Sequence, residues 1–197
     1  MASPASCGGR GEPGQTPARR LSCWRTHATG AGLRAEVALY RMGTIARDEL
    51  GDPTQALAAF EELRRRYPDG TLRGEAELSI VGLLARSGRY TEALAESATL
   101  LGQRSGTERA AELHVLRGNV YREGLGDLTR AASEYGLASV ETGRPATVDE
   151  ALFLHAVTLE ALGRQTDAVE RYRQYLTRVH PAHEKEARKR LQRLSLP

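Results

Sequence analysis

The sequence predicts an all-α solenoid of four antiparallel helix pairs with a C-terminal capping helix. Three recurrences carry the reading. A Gly between two helical stretches returns at Gly51, Gly88, Gly126 and Gly163. An Ala five residues later returns at Ala56, Ala93, Ala131 and Ala168, and four residues further on stand Phe60, Ser97, Tyr135 and Tyr172. The three columns share intervals of 37, 38 and 37 residues. A repeat of that length is one supersecondary unit that cannot bury its apolar face alone, so neighbours must stack.

Taken in order, the helices are expected at about 33–49 and 53–66, 72–86 and 90–103, 107–123 and 127–141, and 148–162 and 165–179, with a last one at 182–194. Asp52 before Pro53 reads as an N-cap followed by Pro at the first helical position, and Asp127 holds the equivalent place. Thr147-Val-Asp-Glu150 reads as a capping box opening the fourth pair. Pro68-Asp69-Gly70, Arg144-Pro145 and His180-Pro181 read as stops. In the second helix of each pair the Ala and the aromatic lie four residues apart and share a face. The Ala allows close approach and the aromatic fills the gap toward the next unit.

The composition agrees. Of 197 residues 40% are hydrophobic and only 5% aromatic, so the core is built of Ala, Leu and Val, which suits closely packed helices. No apolar run reaches the length of a membrane-spanning helix. The net charge of +3 sits at the ends. Residues 1–32 carry four Arg and one Glu, and residues 182–197 carry five basic and two acidic groups, so the body is slightly acidic. That distribution argues against a nucleic-acid surface along the body.

Residues 1–32 are rich in Gly, Pro, Ser, Thr and Arg without helical period, and are expected to form a disordered tail in which Trp24 is exposed. They hold both cysteines, Cys7 and Cys23, neither in a CxxC motif, so no disulfide framework is expected in the rest of the chain. No apolar run resembling a signal peptide is present, so the sequence as written reads as cytoplasmic, and as periplasmic or membrane-anchored if the natural start lies upstream.

The units resemble tetratricopeptide repeats, whose pattern is W-x2-L-G-x2-Y, then A-x3-F, then P. The first unit offers Leu39-x2-Met42-Gly43-x2-Ala46, Ala56-x3-Phe60 and Pro68. The third offers Gly118-x2-Tyr121 and Ala131-x3-Tyr135, and the fourth Ala168-x3-Tyr172 and Pro181. The second keeps Gly88, Tyr90 and Ala93 but has Ser97 in the aromatic place. The resemblance covers residues 33–197, as units of about 33–70, 71–106, 107–146 and 147–181 and a cap over 182–197. It implies a right-handed α-solenoid. The long period resembles bacterial repeats of the YbgF/BamD-like and anti-sigma-linked class.

The resemblance further implies a non-catalytic scaffold that binds a protein or peptide in a groove lined by the first helix of each pair. The residues implied are Tyr40, Thr44 and Arg47, then Leu78 and Arg86, then Val115, Asn119 and Arg122, then Phe153, Val157 and Glu160. Asn119 with Arg122 resembles half of a carboxylate clamp. No HExxH, GxSxG, GxxxxGK[ST] or paired CxxC occurs, so no catalytic, cofactor or metal residues are assigned. His180 and His183 read as an inter-helix turn, and His114 and His155 as partly buried packing residues. Acidic and basic residues alternating over Glu61–Arg66 read as a solvated face. Two other readings stand beside the scaffold. One is nucleic-acid or anionic-surface binding through the basic C-terminal helix and the tail, and the other is self-association through an open end of the array.

Overall fold

A computed structural model describes residues 7–8, 12, 14–104, 108–179 and 181–195. Among them the chain forms α1 (Pro17–Ala28), α2 (Gly32–Asp48), α3 (Pro53–Arg66), α4 (Arg73–Arg86), α5 (Tyr90–Arg104), α6 (Glu108–Asn119), α7 (Leu128–Ala138), α8 (Pro145–Ala161), α9 (Gln165–Leu176) and α10 (Glu184–Leu194). A π-helical turn over Val120–Gly124 continues α6. The fold class is the expected one, all-α helix pairs of the solenoid type with a C-terminal helix. The chain divides into two compact units, Met1–Leu83 and Leu84–Pro197. No described helix is long and apolar enough to cross a membrane.

The periodic glycines have a backbone reason. Gly51, Gly88, Gly126 and Gly163 all adopt positive φ, between 63° and 75°. Each turns the chain out of one helix, and the following amide donates back into it: Asp52 to Ala46, Arg89 to Leu84, Asp127 to Tyr121 and Arg164 to Leu159. That is a Schellman-type stop, in which a side chain on the glycine would be strained. Asp52 Oδ1 then accepts from the Gln55 amide, and Asp127 Oδ1 from the Arg130 amide, each at 2.9 Å. Both are the expected N-caps.

The first unit packs α1 on α2 and α2 on α3. Ala56 and Phe60 of α3 are fully buried, as are Ala35, Ala38 and Ala46 of α2. The Phe60 ring lies so close to Gly43 that a Cβ there would come within 2.6 Å of it. Burial of that ring is worth about 1.5–3 kcal/mol. Glu36, 4% exposed, accepts from the Leu72 amide at 2.6 Å and so caps the entry to α4.

The second unit packs α5 on α6, then each helix on the next through α10. Ala131 and Tyr135, and Ala168 and Tyr172, are fully buried, and a Cβ on Gly118 would come within 2.4 Å of the Tyr135 ring. In the second repeat Ser97 is equally buried. Beside it Arg117 donates to Glu134 at 2.8 Å, and Glu134 is also held by His114 Nδ1 at 2.7 Å. Burial pushes the Glu134 carboxyl up, but the His114 and Arg117 hydrogen bonds outweigh it and hold its pKa below the usual value. At the other end, Leu191 and Leu194 of α10 pack on the cluster of Phe153, Tyr172 and Tyr175, as the capping role requires.

Four expectations are corrected. The stretch expected as a disordered tail contains α1, whose N-cap Thr16 accepts from the Arg19 amide, with Pro17 in the first turn. Its tertiary anchors explain the helix: Arg20 makes a bidentate pair with Glu49 at 2.7 and 2.9 Å, and Arg66 donates to the Ala28 and Gly30 carbonyls. Arg66 thus leaves the solvated face assigned to it and caps the C-terminal end of α1. Trp24 is half-buried, not exposed. The capping box at Thr147 is not used, because α8 begins at Pro145. There Pro starts a helix, its missing N–H being one that a first turn leaves unbonded anyway. His180 lies outside the described residues.

Candidate functional site

Two stripes of side chains face one another in the first unit. On α1, Arg20 and Trp24 lie four residues apart, and on α2 Val37, Tyr40, Arg41, Thr44 and Asp48 recur at helical spacing. Between α1 and α2 lies a hollow of about 590 Å³ lined by Arg20, Trp24, Val37, Tyr40, Arg41, Thr44, Ile45, Asp48, Glu49 and Gly8. Gly8 is brought there by a disulfide between Cys7 and Cys23, which ties the N-terminal strap to α1.

The charges of the hollow are mostly committed. Arg20 is paired with Glu49, and Asp48 is held by Arg47 at 2.6 Å. Arg41 is exposed and makes no ion pair among the described residues. The site therefore offers two aromatic rings, an aliphatic floor of Val37 and Ile45, the Thr44 hydroxyl and one uncommitted guanidinium. It has no nucleophile–base pair.

Of the groove residues expected from sequence, Tyr40 and Thr44 are brought together here. Tyr40 also packs on Phe60, ring centroids 5.7 Å apart. Arg47, one turn on, donates to Ser79 Oγ at 3.1 Å and lies over the Phe60 ring. Its hydrogen bond to Asp48 raises its pKa further. Leu78 is half-buried, and Arg86 is exposed in the last turn of α4.

In the second unit most of the expected residues hold helices together. Asn119 Oδ1 accepts from the Tyr135 hydroxyl at 2.7 Å, and burial drives that hydroxyl's pKa to about 12. Arg122 is engaged by Glu123 at 2.6 Å and lies over the Tyr135 ring. Val115 and Val157 are half-buried against the clusters around Tyr135 and Phe153. Phe153 is 5% exposed, stacked on His183 at 4.3 Å and packed on Tyr172 and Tyr175. Glu160 accepts from the Tyr172 hydroxyl at 2.7 Å, from Arg190 at 3.1 Å and from Arg193, which docks α10.

A smaller hollow of about 440 Å³ in this unit is lined by Thr129, Ala132, Ser133, Gly136, His155, Leu162 and Arg164. Burial, with Arg171 and Arg164 nearby, lowers the His155 pKa to about 4, so its ring is neutral.

Sequence reasoning missed Trp24, Arg20 and the strap. The available signal was Thr16-Pro17, a cap followed by proline ahead of Leu21 and Trp24.

Known proteins place the chain in context. One family model described as tetratricopeptide repeat matches residues 37–70 and 150–183, and a second with the same description matches 78–147. No curated protein matches. Among solved structures, a tetratricopeptide repeat protein from Parabacteroides merdae ATCC 43184 superposes with a TM-score of 0.63 at 18% identity, over 82% of this chain and 60% of that one. The chain thus spans about 60% of that protein's length, and the likeness is one of fold. With the repeat signature running through both compact units, the chain belongs to the tetratricopeptide repeat family.

Proposed function

We propose that this scaffold holds an extended peptide segment of a partner protein in the hollow between α1 and α2. Non-catalytic protein binding is the general function of the repeat. The finer reading rests on one observation: Trp24 and Tyr40 flank a hollow whose uncommitted charge is Arg41. An apolar or aromatic side chain fits between the rings and a neighbouring carboxylate complements the guanidinium. The long repeat period supports a regulatory or envelope assembly of the YbgF/BamD-like or anti-sigma-linked kind. The Cys7–Cys23 disulfide supports the envelope side of the two localisation expectations, because such bonds persist in oxidising compartments.

Nucleic-acid binding through α10 is the weaker reading. Arg190 and Arg193 are engaged by Glu160, and Arg188 by Glu184, which leaves Lys185 and Lys189 as the exposed cations of that helix outside these pairs. The test is capture from native lysate at about 0.15 and 0.5 M salt, where screening separates charge-driven from packed contacts. Wild type runs beside Trp24→Ala and Tyr40→Ala. A protein retained at both salts by wild type and lost by both variants supports the reading. Recovery of nucleic acid alone, at low salt and unaffected by the variants, overturns it.

A further inference from the structure

Cys23 and His27 lie four residues apart on α1, so their side chains leave the helix on one face. The disulfide brings Cys7 of the strap to the same place. The ligand atoms of Cys7, Cys23 and His27 all lie within 4.8 Å of one another. Cys7 is 1% exposed, and His27 Nε2 is buried with no hydrogen-bond partner among the described residues. Trp24 covers the imidazole edge-on, ring centroids 6.0 Å apart. A buried ring nitrogen without a partner is an unsatisfied polar atom, which is destabilising unless something binds it.

We propose that the reduced chain binds Zn²⁺ through Cys7, Cys23 and His27, so that the strap is clasped to α1 in both redox states. A dithiol reductant supplies two electrons and two protons to the disulfide, giving two thiols and the reductant's own cyclic disulfide. Zn²⁺ then displaces both thiol protons to solvent and takes the lone pair of the imidazole nitrogen. Two thiolates neutralise the charge of the ion, which lowers the cost of holding it at a buried position. Zinc–sulfur and zinc–nitrogen bonds of about 2.3 and 2.0 Å set ligand atoms roughly 3.5 Å apart in a tetrahedral site. The imidazole needs a shift of little more than an ångström, and the sulfurs, once unbonded, separate by side-chain rotation. Sulfur and imidazole donors suit zinc over magnesium or calcium. A fourth position is left to water. Because Gly8 of the strap lines the α1–α2 hollow, the metal preserves that wall when the disulfide is lost.

The experiment uses the full chain, reduced with dithiothreitol, freed of reductant without oxygen and titrated with Co²⁺, then Zn²⁺. The expected result is one cobalt per chain with a thiolate-to-cobalt charge-transfer band, displaced by zinc, and no binding by the oxidised chain. Cys23→Ser should abolish the band. His27→Ala should weaken binding by at least the roughly tenfold that loss of even an outer-shell partner costs. His155→Ala, in the other unit, should bind as wild type, and circular dichroism should show unchanged helix content in each variant. Absence of binding by the reduced chain, equal binding by the oxidised chain, or wild-type affinity in His27→Ala would overturn the proposal.

Discussion

Arg117 donates to Ser97 Oγ at 3.2 Å, so in the second repeat a guanidinium stands beside the position where the other three repeats bury an aromatic ring. The same group donates to the Leu94 carbonyl at 3.1 Å and to Glu134 at 2.8 Å. A repeat that lacks its ring is thus joined to the next one by a polar network. All of its members must stay paired, because each is costly to bury alone.

Arg117→Ala should therefore destabilise the protein by about 3 kcal/mol. That is the low end for breaking a buried pair, since His114 remains on Glu134. Arg117→Lys should restore little, because one ammonium cannot reach three acceptors in a planar fork. Urea unfolding of both variants checks this. The depressed Glu134 pKa gives the pH sign. Its contribution is present above the ordinary carboxylate range and is lost as pH falls through the lowered folded value.

Gly118→Ala and Gly43→Ala should each lower stability, by up to about 2 kcal/mol. Alanine gains about 1 kcal/mol of helix propensity. The new Cβ meets the buried Tyr135 or Phe60 ring at 2.4 or 2.6 Å, an overpacking cost of about 1–3 kcal/mol. Gly102→Ala is the control of opposite sign. It sits in α5 with nothing within 4 Å of the added atom, and should stabilise by about 0.4–1 kcal/mol. Thermal melts of the three variants test the contrast.

His155 should make the protein acid-sensitive. Its folded pKa is about 4, below the ordinary 6.5, so between those values the unfolded chain takes up a proton that the folded chain refuses. Stability should be full above pH 6.5 and fall progressively down to about pH 4, by an amount on the order of 1–3 kcal/mol. Denaturant titrations at neutral pH and near pH 5 should show a smaller loss for His155→Leu than for wild type.

Phe153→Ala and Tyr40→Ala should separate, although both residues were expected in the groove. Phe153 is buried between His183, Tyr172 and Tyr175, so its truncation should cost about 3–5 kcal/mol and lower the melting temperature. Tyr40 is half-buried beside the hollow. Its truncation should cost less in stability, and partner capture should fall at a temperature where the variant is fully folded.

The sequence by itself determined the repeat. Its glycines mark positive-φ turns, its alanines mark close contacts and its rings mark gaps, and these requirements act within one helix pair at fixed spacing. Hence Gly51, Ala56 and Phe60 and their counterparts were legible. So were the N-caps Asp52 and Asp127, where an aspartate binds an amide three residues away. The tertiary structure alone decided what depends on residues distant in the chain. Whether Pro17–Ala28 is helical turns on Glu49 and Arg66, which anchor it from α2–α3. Whether Asn119, Phe153 and Glu160 face a partner or the interior turns on Tyr135 of α7, on His183 at the N-cap of α10 and on Arg190 of α10. A single helix has the same pattern in either case, and only the neighbour that packs against it fixes which face is free.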